Sequence, residues 1–469
     1  MTDKFITIED HINKDYKGYA LYVIQSRGIP NFYDSLTPVQ RLILLNSPNN
    51  FKKTVGVVGE VFSTGLYHHG DASMSQAIAK LARPFSCSDQ LLIGDGFFGT
   101  PVNPSPSAPR YTQVKISPKY KSLIEKYKDL NVLNEEGGND WIHLDSPIGL
   151  STHIVGIAVG YKSSILPRKP EDIVSYLENR KKTQIKPNFR GFTGKVTRIK
   201  NLKSSSWLIE GDVEILKERK TVIIKCLSPL QRYDSFYNRL NNMLERSGVN
   251  YKLDNYSTEN VKVNIKLNCG DPEFDLVTKS IIKETKQVVS ENIVFVKDGK
   301  ILQYETIEEY LDDFKVHKES VLLKRIIKDL YYLSTELEFL EAKLKFLIYM
   351  SEKKRSAVDV NIFVSSYKKS ISRRLESISL IKLNKDEINS VRKEIKSLNI
   401  DIKNKNKELK KQEKVFKTVE KSHYRKTKSR IVKSNYLLEY SDGYHNGIKI
   451  WEPEMEAEDE EEEIGKIDS

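Results

Sequence analysis

Ala108-Pro109-Arg110-Tyr111-Thr112-Gln113 is the stretch around which the rest of the chain falls into order. It follows a segment rich in proline and serine, Asn103 to Pro109, of the kind that forms turns. A phenol is a weak nucleophile near neutral pH, with an ordinary pKa of about 10. A guanidinium at its side favours the phenolate and neutralises a phosphate under attack. An Arg-Tyr pair at the rim of a basic surface therefore suits nucleophilic attack on a phosphodiester. By itself the dipeptide equally describes two ordinary strand residues, so its surroundings have to decide.

Composition narrows the setting. The chain has 469 residues, enough for several domains, and a formal net charge of +12 with a pI of about 9.1. Such a balance suits a polyanionic partner, nucleic acid before membrane. An acidic run from Glu454 to Glu463 hides part of the positive charge. Cys87, Cys226 and Cys269 are widely spaced and form neither a metal pattern nor a disulfide framework, which suits a reducing cytoplasm. The eight histidines show no metal-site spacing. No apolar run approaches the ~20 residues that span a bilayer, and the polar start of the chain, Met1 to Asp10, does not read as a signal peptide.

Upstream of Tyr111 lie, in order, Ser35-Leu36-Thr37-Pro38-Val39-Gln40-Arg41, then Tyr67-His68-His69-Gly70-Asp71, then Gly94-Asp95-Gly96-Phe97-Phe98-Gly99. Downstream comes Gly156-Ile157-Ala158-Val159-Gly160. This ordered series resembles the DNA breakage-reunion subunit of type IIA DNA topoisomerases, in particular the medium subunit of tailed-phage topoisomerases, and also the gyrase A and topoisomerase IV A subunits. The likeness runs from about Tyr19 to about Tyr349. It implies an α/β (α+β) multidomain fold: a winged-helix DNA-gate domain with an N-terminal helical arm (1–138), an α/β tower domain (139–309), a long antiparallel coiled coil with a helical exit gate (310–434), and an acidic tail (435–469).

Local patterns support that division. Ile12 to Arg27 reads as a helix, which the likeness places at the dimer and partner contact. A second helix starts at Thr37-Pro38, with proline at its favoured first position. Val39, Leu42, Ile43 and Leu45 bury one of its faces, leaving Arg41 off the stripe and free to point at a ligand. Thr54 to Phe62 and Ala72 to Phe85 read as two more helices separated by glycine turns, a helix-turn-helix pattern. Lys52, Lys53, Lys80 and Arg83 are expected to meet backbone phosphates. Val114 to Lys128 reads as a helix, and Gly149 to Tyr161 as a buried strand. Charged and β-branched residues alternate from Gly194 to Lys225, as in exposed antiparallel strands. A helix at Tyr233 to Arg246 and strands at Val261 to Leu267 and Ile293 to Val296 complete that region.

From Tyr310 the pattern changes. Leu323, Ile326, Leu330, Leu333, Leu337, Leu340, Leu344 and Leu347 alternate spacings of three and four, an a/d seam. A second seam runs from Ile388 to Val419, interrupted by the polar Lys405 and Gln412. Two seams with a connecting segment suggest an antiparallel pair with a tip, although two coils with separate partners would show the same periodicity. The segment from Lys421 to Lys433 is strongly basic, and no repeated β-pinwheel sequence follows it.

The resemblance assigns roles to particular residues. Tyr111 would form a 5′-phosphotyrosine link with a four-base stagger. Arg110, Arg41 and His69 would stabilise charge on the phosphate, with His68 assisting. Ile157 would be the apolar wedge that bends the duplex. Two copies would cut both strands, so a homodimer is implied. Mg²⁺ and ATP are expected on a partner carrying the ATPase and the acidic metal-binding fold, because no clustered Asp-x-Asp or Walker-type loop stands in this chain. Gyrase A relatives follow Gly-Asp with a serine and place an acid four residues later; here those positions are Ala72 and Gln76, and Tyr33 stands where gyrase A has an arginine. The reading from another class is a non-catalytic, basic coiled-coil protein that binds DNA architecturally. Composition and heptads suit it equally; Tyr111 and its ordered motifs do not.

Overall fold

In the computed structural model the described residues are 17–427, apart from 132, 135–136, 180–183, 200–204, 353–356 and 379–384, together with the isolated residues 8, 12 and 16. The acidic tail and most of the basic segment before it lie outside them.

The chain enters through helix α1 (Lys17–Val23), which widens into a π-helical turn over Ile24–Gly28. Helix α2 (Pro38–Leu45) begins where expected. Thr37 and Gln40 form a reciprocal capping box, and Pro38 occupies the first turn, where its missing N–H costs nothing. A short strand β1 (Lys52–Lys53) leads into α3 (Thr54–Ser63), and α4 (Asp71–Ala82) follows the double-histidine turn. Strands β2 (Leu92–Asp95) and β3 (Gln113–Ile116) complete an antiparallel sheet in the order β1-β3-β2. Helix α5 is Pro118–Tyr127. The helix expected from Val114 is therefore a strand up to Ile116, since Val114 and Ile116 alternate into the core and only Pro118 restarts a helix. One core joins these elements and reaches Ile142, Leu144 and Ile148, with Val321 arriving from the long helix beyond.

Next comes a two-stranded hairpin, β4 (Ile154–Ala158) and β5 (Tyr161–Ile165), followed by α6 (Pro170–Leu177). Arg168 is fully buried beneath it. Its Nη2 donates to Glu291 Oε2 at 2.7 Å, and Trp207 Nε1 donates to the same oxygen at 2.7 Å, so the charge is paired where water is excluded. Strands β6 (Lys195–Arg198), β7 (Ser206–Glu210), β8 (Asp212–Leu216) and β9 (Thr221–Cys226) form next. Then come α7 (Tyr233–Arg246), β10 (Asn250–Asn255), β11 (Val263–Asn268), α8 (Asp271–Glu284) and β12 (Lys286–Ser290). They make a four-stranded sheet, β10-β11-β9-β8, and a three-stranded one, β12-β7-β6. Phe236, Leu240 and Leu244 of α7 and Phe274, Val277 and Ile281 of α8 fill the core over the larger sheet.

A last hairpin, β13 (Ile293–Lys297) and β14 (Lys300–Tyr304), packs with Phe32 and Tyr310 near the head of α9 (Ile307–Glu352). Two short helices, α10 (Ala357–Ser365) and α11 (Lys369–Glu376), stand at its far end, and α12 (Lys385–Thr427) returns. Lys343 meets Glu387 at 2.8 Å, Lys405 meets Asp329 at 3.1 Å, and Gln412 Nε2 donates to Glu319 Oε2 at 2.6 Å. Partner numbers rise on one helix as they fall on the other, so α9 and α12 run antiparallel. Both polar interruptions of the seam are thus matched across it. Such matched polar positions set register where leucines alone would allow slippage by a turn.

Candidate functional site

Tyr111 projects from the loop between β2 and β3 with 65% of its surface exposed, while Thr112 beside it is buried. The loop is stitched to the start of α3: Thr54 N donates to Thr112 O at 2.9 Å, Val55 N donates to Pro109 O at 3.3 Å, and the two threonine hydroxyls lie 2.8 Å apart. Helix N-termini leave N–H groups free, and here the Tyr111 loop takes two of them. On the other side, just past the end of β2, Gly96 has φ +98°, a conformation that favours glycine, and a Cβ there would lie 3.2 Å from Tyr111 O. The guanidinium of Arg110 lies 4.6 Å from the centre of the Tyr111 ring, and both side chains are exposed. A cation thus lies over the ring of a solvent-facing phenol, on a loop fixed at both ends.

Arg41 differs from its expectation. It is 4% exposed, with Nε donating to Asp34 Oδ2 at 2.7 Å and Nη2 donating to Asp34 Oδ1 at 3.0 Å and Leu36 O at 3.1 Å. The carboxylate of Asp34 also accepts from Ile142 N at 3.0 Å and Leu36 N at 2.9 Å. A planar fork fits a carboxylate in two places at once, and burial keeps it there. Arg41 is therefore a joint inside this chain and does not point freely at a ligand.

His69 lies at the start of α4. Arg27 Nε donates to His69 Nε2 at 2.6 Å, and Arg27 Nη2 lies 2.6 Å from the other ring nitrogen. Burial, then the charge of Arg27, holds the imidazole below its ordinary pKa, so at neutral pH it is uncharged. His68 is exposed. Arg27 was not singled out from the sequence. It ends a stretch read as an interface helix, and nothing in its spacing ties it to a histidine 42 positions away.

Gly28, next to Arg27, presses against the β4–β5 hairpin: a Cβ on Gly156 would lie 1.7 Å from Gly28 O, so the two backbones touch as only glycines allow. Above this contact Ile157 is 71% exposed and Val155 is exposed on the same face, while Ile154 and Gly156 face inward. The expected buried strand is thus half of a hairpin with an apolar outer face. The turn Arg27-Gly28 links the histidine to the hairpin. Among the described residues no hydrogen bond or ring contact joins Tyr111 to Arg41, His68 or His69.

The basic residues divide. Lys52 pairs with Glu60, whereas Lys53 and Lys80 are exposed and make no ion pair with another described residue. Arg83 lies past the end of α4, which stops at Ala82, because its ψ of 131° leaves the helical region. Its Nη2 donates to Pro104 O at 2.7 Å, and its guanidinium lies over Phe85. It ties down the segment before Tyr111 instead of facing outward from the helix. Among the described residues no group of three acidic, histidine or cysteine side chains stands ready for a metal.

The site thus combines an exposed tyrosine with an arginine on its ring, a hairpin with an apolar outer face and a histidine under an arginine. The model of the family of DNA gyrase and topoisomerase IV A subunits matches residues 27–423, and the chain belongs to that family. Individual relatives agree. The chain is 26% identical to the DNA topoisomerase medium subunit of Enterobacteria phage T4, over 67% of this chain and 74% of that one. It is 31% identical to the mitochondrial DNA topoisomerase 2 of Dictyostelium discoideum over 72% of this chain, and 26% identical to the DNA gyrase A protein of a Buchnera aphidicola strain over 72%. It spans 28% and 44% of those two proteins. The fold is similar to the DNA-binding, cleavage and re-ligation domain of Plasmodium falciparum topoisomerase II, with a TM-score of 0.71 at 20% identity, covering 88% of this chain and 65% of that one.

Proposed function

We propose that the chain is the DNA-cleaving subunit of an ATP-dependent type II DNA topoisomerase, acting as a homodimer with a separate ATPase and metal-binding subunit in the cytoplasm of a phage-infected cell. The observation that carries this reading is Tyr111, exposed beneath Arg110 on a loop locked to a helix start, in a chain of this family. Helices α3 and α4 with the β1-β3-β2 sheet would be the winged helix. Strands β6 to β12 would form the tower, within 139–309, and α9 to α12 the coiled coil and exit gate, from about 310; the division at 434/435 lies outside the described residues.

In the reaction the Tyr111 oxygen attacks the phosphorus and the bond to the 3′ oxygen breaks. That oxygen leaves as the deoxyribose 3′-hydroxyl, taking up a proton as the phenol gives one up. The number of phosphoesters is unchanged, so the reverse step reseals the strand. Arg110 neutralises charge on the attacked phosphate. His69, whose two ring nitrogens face Arg27, would help position the phosphate by orienting that guanidinium. Ile157 and Val155 would enter the base stack, trading unstacking for a bent duplex. A divalent ion on the partner would supply charge at the attacking and leaving oxygens.

The test is covalent trapping. The chain, its ATPase partner, Mg²⁺, ATP and end-labelled plasmid are mixed and denatured with detergent. Label is expected on this chain, and absent with Tyr111→Phe. Trapping that survives the substitution moves the chemistry to another tyrosine, and none in the wild type with its partner bound favours an architectural DNA binder. Ala72 and Gln76 are both exposed on α4 and lack the hydroxyl and acid that anchor a quinolone's metal-water bridge. Cleavage complexes are therefore expected to be insensitive to quinolone at concentrations that trap bacterial gyrase.

A further inference from the structure

Helix α12 has a second pattern besides its seam. Lys403, Lys407, Lys410, Lys414, Lys417 and Lys421 recur at alternating steps of four and three, and all six are exposed. At about 100° per residue they fall within a sector of roughly 80° on the helix surface. The seam residues Ile402, Leu409, Phe416 and Val419 lie on the other side, and none of them is exposed. Asp401, Glu408, Glu413 and Glu420 all fall outside the sector. The line of six covers ~27 Å of helix, and Lys396 and Arg392, both exposed, prolong it to ~44 Å.

An ordinary solvated face mixes signs, because opposite charges three or four residues apart stabilise a helix and like charges destabilise it. Here the helix has carboxylates and uses them elsewhere. Lys405, off the line, pairs with both Asp329 and Glu408, while none of the six pairs with a described residue. A row of mutually repelling cations is relieved when a polyanion lies along it. The partner's chemistry follows from what the row contains and lacks. It runs along one face of a single continuous helix, which suits the backbone of a duplex carrying one charge per ~1.7 Å of axis. It has no aromatic ring for stacking unpaired bases and no apolar stripe for a membrane.

We propose that this lysine row is a docking surface for duplex DNA, additional to the Tyr111 site and held by phosphate contacts without sequence readout. The inference builds on the DNA-binding part of the proposed function and is independent of cleavage.

The test is lysine footprinting. Full-length chain carrying Tyr111→Phe, assembled with its partner, is acetylated with and without a 40-base-pair duplex (a length of about 40 is ample for a ~44 Å row) and read by mass spectrometry. Joint protection of Lys403 to Lys421, lost as salt is raised, is the expected result. A variant with Lys403, Lys407, Lys410, Lys414 and Lys417 all changed to Gln keeps helix propensity, and its slope of log affinity against log salt should be shallower by about 4. The same five changes made in the Tyr111 background should leave gate-strand trapping intact. Stripe lysines as reactive with duplex as without it overturn the proposal. Lysines already protected without DNA and released by deleting 454–463 also overturn it, giving the row to the acidic tail. Failure of trapping in the wild type sinks the proposed cleavage and leaves the footprint readable.

Discussion

Arg110 and Arg41 are both placed beside the chemistry by the order of motifs, yet the fold treats them oppositely. Arg110 is exposed and lies over a ring that is itself exposed. Arg41 is buried, with its fork closed on Asp34. Around it the chain builds a joint. Asp34 takes the Ile142 amide, and the next residue, His143, lies 3.3 Å from Lys324 Nζ on α9. One region leaves its cation facing solvent, and the other uses its cation to hold loop, core and long helix together. A charge acts on a ligand only where the protein has left it without a better partner.

Three substitutions or conditions would break or sharpen that contrast. Arg110→Ala should lower strand cleavage by about 10²–10³, the usual cost of removing a group that stabilises transition-state charge, with the urea midpoint unchanged. A stability loss comparable to that of Arg41 would erase the distinction. Arg41→Ala should behave in the reverse way, destabilising the fold by about 3–5 kcal/mol because it strands a buried carboxylate. Equilibrium unfolding measures this directly, and lost cleavage at unchanged stability would return Arg41 to the phosphate. The smallest effect concerns acid. Burial, and then the charge of Lys324, pushes His143 down to about 4, so the folded protein refuses a proton that the unfolded chain takes up near ~6.5. Stability should be complete above pH ~6.5, fall as the pH drops towards 4, and level off below it. His143→Gln should flatten part of that fall in a series of unfolding midpoints, while a profile flat from pH 7 to 4.5 would show that the joint does not titrate.

Much of the architecture follows from periodicity and local chemistry. The helix start at Thr37-Pro38, the helix Tyr233–Arg246 and the apolar spacing of the two long helices are each set by neighbours a few residues apart, which is why they could be read directly. The polar Lys405 and Gln412 were visible as interruptions, but their partners Asp329 and Glu319 were not. Val114 to Ile116 misled for a related reason. Three residues before a helix start carry too little period to tell strand from helix, and pairing with β1 and β2 decides.

The chain's order of motifs alone determined the family and singled out Tyr111, Arg110 and Ile157, which the fold leaves exposed next to their own sequence context. Only the tertiary structure decided which charges are spent inside the protein. Arg41 on Asp34, Arg27 on His69, Arg83 on Pro104 and Lys405 on Asp329 are pairings across 7 to 76 positions of chain. Whether a cation faces solvent or a carboxylate depends on what the fold brings within a few ångströms, and a linear sequence does not contain that distance.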